Sequence, residues 1–328
     1  MKVVMFKQWA KRWMWLALEM LLLSILVFYL ARQAPGDPLQ SFYGDAMESM
    51  TEVERQAARE RLGLNDGLLV QYIRWLTHAL QGDFGLSYKY KMPVLAVMKP
   101  LIGNTLLLGG MAYITVFILA VVLAIVCAFY EGRLPDRIIC RIGTIFYYIP
   151  GFWLGVVLVL VFSINLRWLP SSGAYDVGMQ KELGNRIRHL ILPLAVMVAS
   201  HLWYYAHMIR NKLLDEMQKD YALFARAKGC SRSEILWKHC LRNVAPAIVN
   251  LMAVSIPHIT SGTVVAEAVF NYPGIGNLAV ESAKYHDYNL LMINVLLTGL
   301  MVFVGSFLAQ AVNEKIDPRI KETGVIKW

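Results

Sequence analysis

Predominantly apolar runs occur near residues 13–31, 104–129, 143–164, 189–207, 245–266 and 290–312, and Glu19 is the one carboxylate within them. Each run approaches or exceeds the ~20 residues a helix needs to cross a ~30 Å hydrocarbon layer. The pattern predicts an all-α polytopic membrane protein with six transmembrane helices. Between the first two runs the chain turns polar. Ala34-Pro35-Gly36-Asp37-Pro38 stops the first helix. Thr51 and Glu54 then have capping-box spacing and open a charged helix that ends near Gly63. Gln71 to Leu80 reads as a short amphipathic helix with Tyr72, Trp75 and Leu76 on one side, and Gly82-Asp83-Phe84-Gly85-Leu86-Ser87 breaks the chain again.

A second polar stretch runs from Asp220 to Asn243 and is too polar to cross a bilayer. It is patterned as two short helices around a glycine. Asp220 is expected to cap the first, and Gly229 to end it in a left-handed turn. Ser231 and Glu234 form the capping box of the second. Ala222, Ala225 and Gly229 fall at helical spacings of three and four, so one face carries almost no side chain, and Tyr221 and Phe224 stand beside it. A narrow groove flanked by aromatics suits docking onto another protein.

Composition supports the membrane reading: 57% of residues are hydrophobic and only 17% charged. The +9 net charge reads as a topology signal. Lys2, Lys7, Lys11 and Arg12 precede the first span, and residues 208–244 hold a further cluster of Lys and Arg. Both belong on the cytoplasmic side, and six spans then return the C-terminus there. The basic residues form no continuous face, which argues against nucleic acid. The N-terminal run is too long for a signal-peptide core and has Trp9, Trp13 and Trp15 at its edge, so it reads as a retained span. The expected division is 1–32, N-terminus and first span; 33–103, an extracytoplasmic helical subdomain; 104–312, a five-helix core including the loop 208–244; and 313–328, a cytoplasmic tail.

Candidate chemistry is sparse. No glycine is followed by lysine, so the chain has no Walker A loop, and His-Glu-x-x-His and Gly-x-Ser-x-Gly are missing as well. Cys127, Cys140, Cys230 and Cys240 show no zinc-like spacing and are expected as reduced thiols near the cytoplasmic face. Glu19 lies some six residues into the first span, where snorkelling or a partner helix is the expected explanation. His201 and His258, on the fourth and fifth spans, carry imidazoles that suit nickel or zinc, although interhelical hydrogen bonding is the commoner use. The sixteen methionines are scattered, as packing residues are.

The ordered set of short blocks resembles an inner-membrane permease of the dipeptide/oligopeptide/nickel branch of ABC importers, of the first-permease type. The blocks are Pro35-Gly36-Asp37-Pro38, Gly82-Asp83-Phe84-Gly85-x-Ser87, Asn104-Thr105, Trp168-Leu169-Pro170 with Gly173, Asp220-Tyr221 through Ala225-Arg226-Ala227-Lys228-Gly229, Leu241-Arg242-Asn243, Glu267 with Phe270-Asn271-Tyr272-Pro273-Gly274-Ile275-Gly276, Asp287-Tyr288 and Asp317-Pro318-Arg319. Asn65-Asp66-Gly67 and Cys230 depart from the usual pattern.

The resemblance implies the MetI-like ABC importer permease fold in a bacterial inner (plasma) membrane. Implied partners are a second homologous permease forming a heterodimer, two ABC ATPase subunits that bind the ATP and magnesium, and an extracytoplasmic substrate-binding protein. The chain itself holds no cofactor and no catalytic residue. Asp220, Tyr221, Phe224, Ala225, Ala227, Lys228 and Gly229 would couple to the ATPase. His201, His258 and Glu267 are candidates for the substrate path, and no metal site is assigned. Small peptides and nickel or metal-chelate cargo are both compatible. A sensor or scaffold subunit and an ATP-independent secondary transporter are the competing readings.

Overall fold

The computed structural model describes residues 2–33 and 37–316. The expected stop at Ala34-Pro35-Gly36 and the Asp317-Pro318-Arg319 block lie outside them. The helices are α1 (Lys2–Gln33), α2 (Pro38–Tyr43), α3 (Glu52–Arg61), α4 (Leu68–Leu80), α5 (Val94–Phe129), α6 (Leu134–Tyr148), α7 (Gly151–Leu158), α8 (Leu183–Met217), α9 (Asp220–Ala227), α10 (Arg232–Glu234), α11 (Leu241–Val269), α12 (Ile275–Lys284) and α13 (Tyr288–Ile316). Wider π turns continue α7 over Val159–Asn165 and join α10 to α11 over Ile235–Cys240.

Among the described residues, five stretches are long and apolar enough to span a membrane: Lys11–Gln33, Val94–Phe129, Leu183–Met217, Arg232–Val269 and Tyr288–Leu308. The span expected at 143–164 is different. There Leu134–Tyr148 and Gly151–Asn165 meet at a 97° bend. Pro150 has no N–H to continue the ladder and drives the preceding residue out of the helical region; Ile149 accordingly sits at ψ 122°. An apolar window passes over such a break because proline interrupts hydrogen bonding without lowering hydrophobicity.

The chain forms two compact units, residues 1–104 with 273–303, and residues 105–272 with 304–328. In the first unit, Thr51 and Glu54 form the expected capping box of α3. Ser24 Oγ and Tyr72 Oη lie 2.8 Å apart, and Phe28 meets Tyr72 edge to face, so α4 packs on α1. Val94, Met98, Ile275, Leu278, Leu290 and Ile293 make a buried core. Above it, the fully buried Asp287 accepts hydrogen bonds from Ser87 Oγ and from the Lys89 N–H at 3.1 Å. Asn289 Nδ2 donates to the Leu86 carbonyl at 3.0 Å, and a Cβ at Gly85 would stand 2.9 Å from that same nitrogen. The Gly82–Ser87 block and the Asp287-Tyr288 block are thus one structural feature.

In the second unit, Leu108, Ala112, Val116, Ala120, Ala124 and Ala128 form a fully buried four-residue ladder along α5. Small side chains at that spacing let neighbouring backbones approach closely, which is how helices associate where no hydrophobic gradient separates lipid from protein. Gly155 serves the same end on α7, since a Cβ there would meet Val269 of α11 at 2.8 Å. Gly173 N–H donates to the Phe270 carbonyl at 3.0 Å, joining the Trp168–Gly173 loop to the end of α11.

A two-pronged polar tie joins α6 to α8. Arg210 holds the buried Asp136 in a fork, Nε to Oδ1 at 2.8 Å and Nη2 to Oδ2 at 2.7 Å, and the Gly132 N–H donates to Oδ2 at 2.9 Å. Removing one member leaves the other charge buried and unpaired, which costs about 3–5 kcal/mol. Arg210→Ala is therefore expected to lower thermal stability in detergent markedly. The double variant with Asp136→Ala should be less destabilised than the sum of the two single changes.

Candidate functional site

The loop between α8 and α11 folds as two short helices around Gly229, which adopts φ +85°. Ser231 and Glu234 form the expected capping box. Asp220 does not cap α9. It is the first helical residue, Lys219 takes the cap position, and no side-chain hydrogen bond closes that end. Asp220 still places its charge in the first turn, where a carboxylate complements the helix dipole.

The small-residue face also differs from expectation. Ala222 and Ala225 are buried, in the same core cluster as Ile235, Leu236 and Cys240. The face without side chains is what lets α9 lie flat on its own chain, and it is not an open groove. Tyr221 leans inward with it. Its hydroxyl donates to Glu216, and burial followed by that hydrogen bond pushes the phenol well above its ordinary range. The outward face carries Leu223, Phe224, Arg226, Ala227, Lys228 and Gly229. Phe224 is 61% exposed, with Lys228 Nζ 4.4 Å from its ring centre, and a Cβ at Gly229 would meet nothing within 4 Å.

The loop is tied to the turn between α5 and α6: Arg232 Nη2 donates to the Ala128 carbonyl at 2.9 Å and to Glu131 at 2.8 Å. An apolar tip on an anchored helix can transmit a push without unfolding first.

His201 and His258 meet, their rings 4.8 Å apart and edge to face. His201 is buried and its Nδ1–H donates to the Met197 carbonyl at 2.8 Å; His258 is exposed, with Nδ1 3.1 Å from the Tyr205 hydroxyl. The His201 ring fills the space beside Gly262, where a Cβ would come within 2.6 Å of it. Glu267 is not part of this pair. It lies nine residues beyond His258 on α11, about 13 Å along the axis at 1.5 Å per residue. Fully buried, it accepts a 2.6 Å hydrogen bond from Thr105 Oγ1.

α11 also presents an exposed stripe of Asn250, Val254, His258 and Ser261, three of them polar within an apolar span. The Asp136–Arg210 fork and this stripe were not anticipated from the sequence. The helical spacing of 250, 254, 258 and 261 was the available signal for the stripe.

The chain matches the family described as Binding-protein-dependent transport system inner membrane component over residues 120–322, and its N-terminal companion over residues 5–106. It belongs to that family. It is the transmembrane permease subunit of an ABC importer, and separate ATPase subunits hydrolyse the ATP. Family membership also implies an inner-membrane location and a substrate-binding protein as partner.

The chain is 33% identical to the oligopeptide transport system permease protein AppB of Bacillus subtilis, covering 91% of this chain and 94% of that one. It is 32% identical to the glutathione transport system permease protein GsiC of Salmonella paratyphi A, covering 95% and 97%. Its fold is similar to that of the MetNI methionine ABC transporter in an inward-facing conformation, with TM-score 0.55 at 16% identity, over 68% of this chain and 97% of that one.

The two faces of α9 should separate in solution. Ala222→Leu overpacks a buried contact and is expected to destabilise this permease by about 1–3 kcal/mol. Phe224→Ala, at an exposed position, should stay within about 0.5 kcal/mol of the parent. Thermal unfolding of the purified protein checks both.

Proposed function

We propose that this permease passes small peptides into the cytoplasm, as one half of a heterodimeric pore with a second, homologous permease. The relatives named for oligopeptide and glutathione transport, matched over more than nine-tenths of the chain, support peptide cargo over nickel. The lysines and arginines before the first span and in residues 208–244 support an orientation with that loop, both termini and the tail 313–328 on the cytoplasmic side and 33–103 opposite.

Coupling runs through α9, and the single observation that carries it is an exposed apolar tip on a helix whose other face is built into the core. Phe224, with Ala227, Lys228 and Gly229 beside it, would enter a cleft on an ATPase subunit. Burying one such aromatic contributes about 1.5–3 kcal/mol. Tyr221 and Ala225 hold the helix in place from beneath, and Asp220 places its charge at the exposed first turn. When ATP draws the ATPase subunits together, α9 moves with them, and the anchor through Arg232 carries the motion to the turn between α5 and α6.

A polar side chain facing acyl chains is costly, so polar groups within spans line a watery route or a protein contact. Asn250, His258 and Ser261 are therefore assigned to the substrate path, with His201 steadying His258. Glu267, sealed by Thr105, sets the end of α11 and is not a ligand for cargo.

Uptake of a labelled dipeptide and of labelled nickel, compared between a deletion strain and its complemented parent, tests the cargo. Loss of peptide uptake alone is expected; loss of nickel uptake alone would overturn the assignment. Gly229→Glu, which puts a bulky charge on the exposed tip and a side chain at φ +85°, should abolish uptake while the protein still inserts in the membrane. Normal transport by that variant at normal expression would sink the coupling role. A scaffold or sensor subunit would instead copurify with ATPases whose hydrolysis ignores substrate.

A further inference from the structure

Cys127, near the end of α5, and Asp136 and Cys140, one turn apart on α6, converge across the α5–α6 turn. The two Sγ atoms and a carboxylate oxygen all lie within 4.8 Å of one another. We propose that these three residues form a binding site for a thiophilic divalent cation, for which cadmium and zinc are the probes. This holds whatever the cargo is.

The donor set is soft, two thiols and one carboxylate, as suits zinc and its heavier congeners. Zinc–sulfur bonds of about 2.3 Å at a tetrahedral angle put two sulfurs about 3.8 Å apart, so the side chains need to close by at most about 1 Å. Cys140 Sγ–H now donates to Asp136 Oδ1 at 3.4 Å. When that thiol loses its proton, the lone pair it occupied on Oδ1 is freed and becomes the third ligand. Arg210 keeps its fork on the other lone pairs and holds the carboxylate in place.

Charge balances as well. Two thiolates and a carboxylate carry three negative charges, while the divalent cation and the Arg210 guanidinium carry three positive. Binding is thus M²⁺ plus two thiols going to a dithiolate complex plus two protons, with no redox change. The empty fourth position and the entry path come from a cavity of about 330 Å³ that both cysteines line, along with Thr144, Tyr147, His207 and Arg210.

Among the described residues the remaining cysteines join no such group. Cys240 lies 4.0 Å from the Tyr221 hydroxyl, and all four cysteines are free thiols.

Cadmium titration of the purified permease, followed by its ultraviolet thiolate-to-metal charge-transfer band, tests the site. One equivalent is expected in the parent and in Cys230→Ser, with at least a tenfold loss of affinity in Cys127→Ser and in Cys140→Ser. No band in the parent, or an equal band in both of those variants, overturns the proposal. A second measurement needs no variant. Cadmium should slow maleimide labelling of the part-exposed Cys140 at least tenfold, read by peptide mass, and leave Cys230 unchanged. Equal slowing at both, or at neither, overturns the proposal.

Discussion

Hydrocarbon offers no hydrogen bonds, so every backbone N–H and C=O in a membrane span must find its partner inside the protein. The helices of this permease follow from that constraint, and so do the places where they break. At Ile149-Pro150 the ladder stops and the chain turns through 97°, in a segment that is otherwise apolar. The glycines of α7 show what closes the gap. Gly151 and Gly155 let the broken segment press against α8 and α11, with would-be Cβ contacts to Ser200 and Val269 under 3 Å. A break in the backbone is tolerated where neighbouring helices come close enough to enclose it.

Within each unit a few polar side chains act as long-range ties. Ser87 reaches Asp287 across two hundred residues of sequence, and Asn104 Nδ2 donates to the Pro273 carbonyl at 2.8 Å. Thr105 reaches Glu267, and Arg210 clasps Asp136. Each carboxylate is buried and paired, which is the condition for keeping such a group out of water. The short blocks that carry the family resemblance are, in large part, the two ends of these ties. Asp287 and Ser87 belong to different blocks only because the chain between them is long.

The coupling loop shows how far patterning reaches. The Ser231–Glu234 box, the left-handed Gly229 and the two short helices follow from local rules, and they are present. The direction of α9 does not follow. Ala222, Ala225 and Gly229 looked like one open face, but burial takes the two alanines and leaves the glycine and Phe224 outside. Small residues permit close approach on either side of a helix; only the position of Ile235, Leu236 and Cys240 decides which partner uses it. The thiol cluster escaped for a related reason. Cys127 and Cys140 are too far apart for a ligand motif in sequence, and it takes the α5–α6 turn, held by Gly132 and Asp136, to bring them together.

The amino-acid sequence alone determined the class of this protein: an all-α membrane permease with its span positions, its want of an ATPase loop and the capped helices of its polar segments. Those properties depend on hydropathy over a window or on residues within one turn of each other, where the physics is local. The tertiary structure alone decided that the third span is bent, which face of α9 is free, that His201 meets His258 while Glu267 stands apart, and that Arg210 pairs with Asp136. Those depend on which helices come into contact, and a side chain's partner across a helix interface has no fixed spacing along the chain.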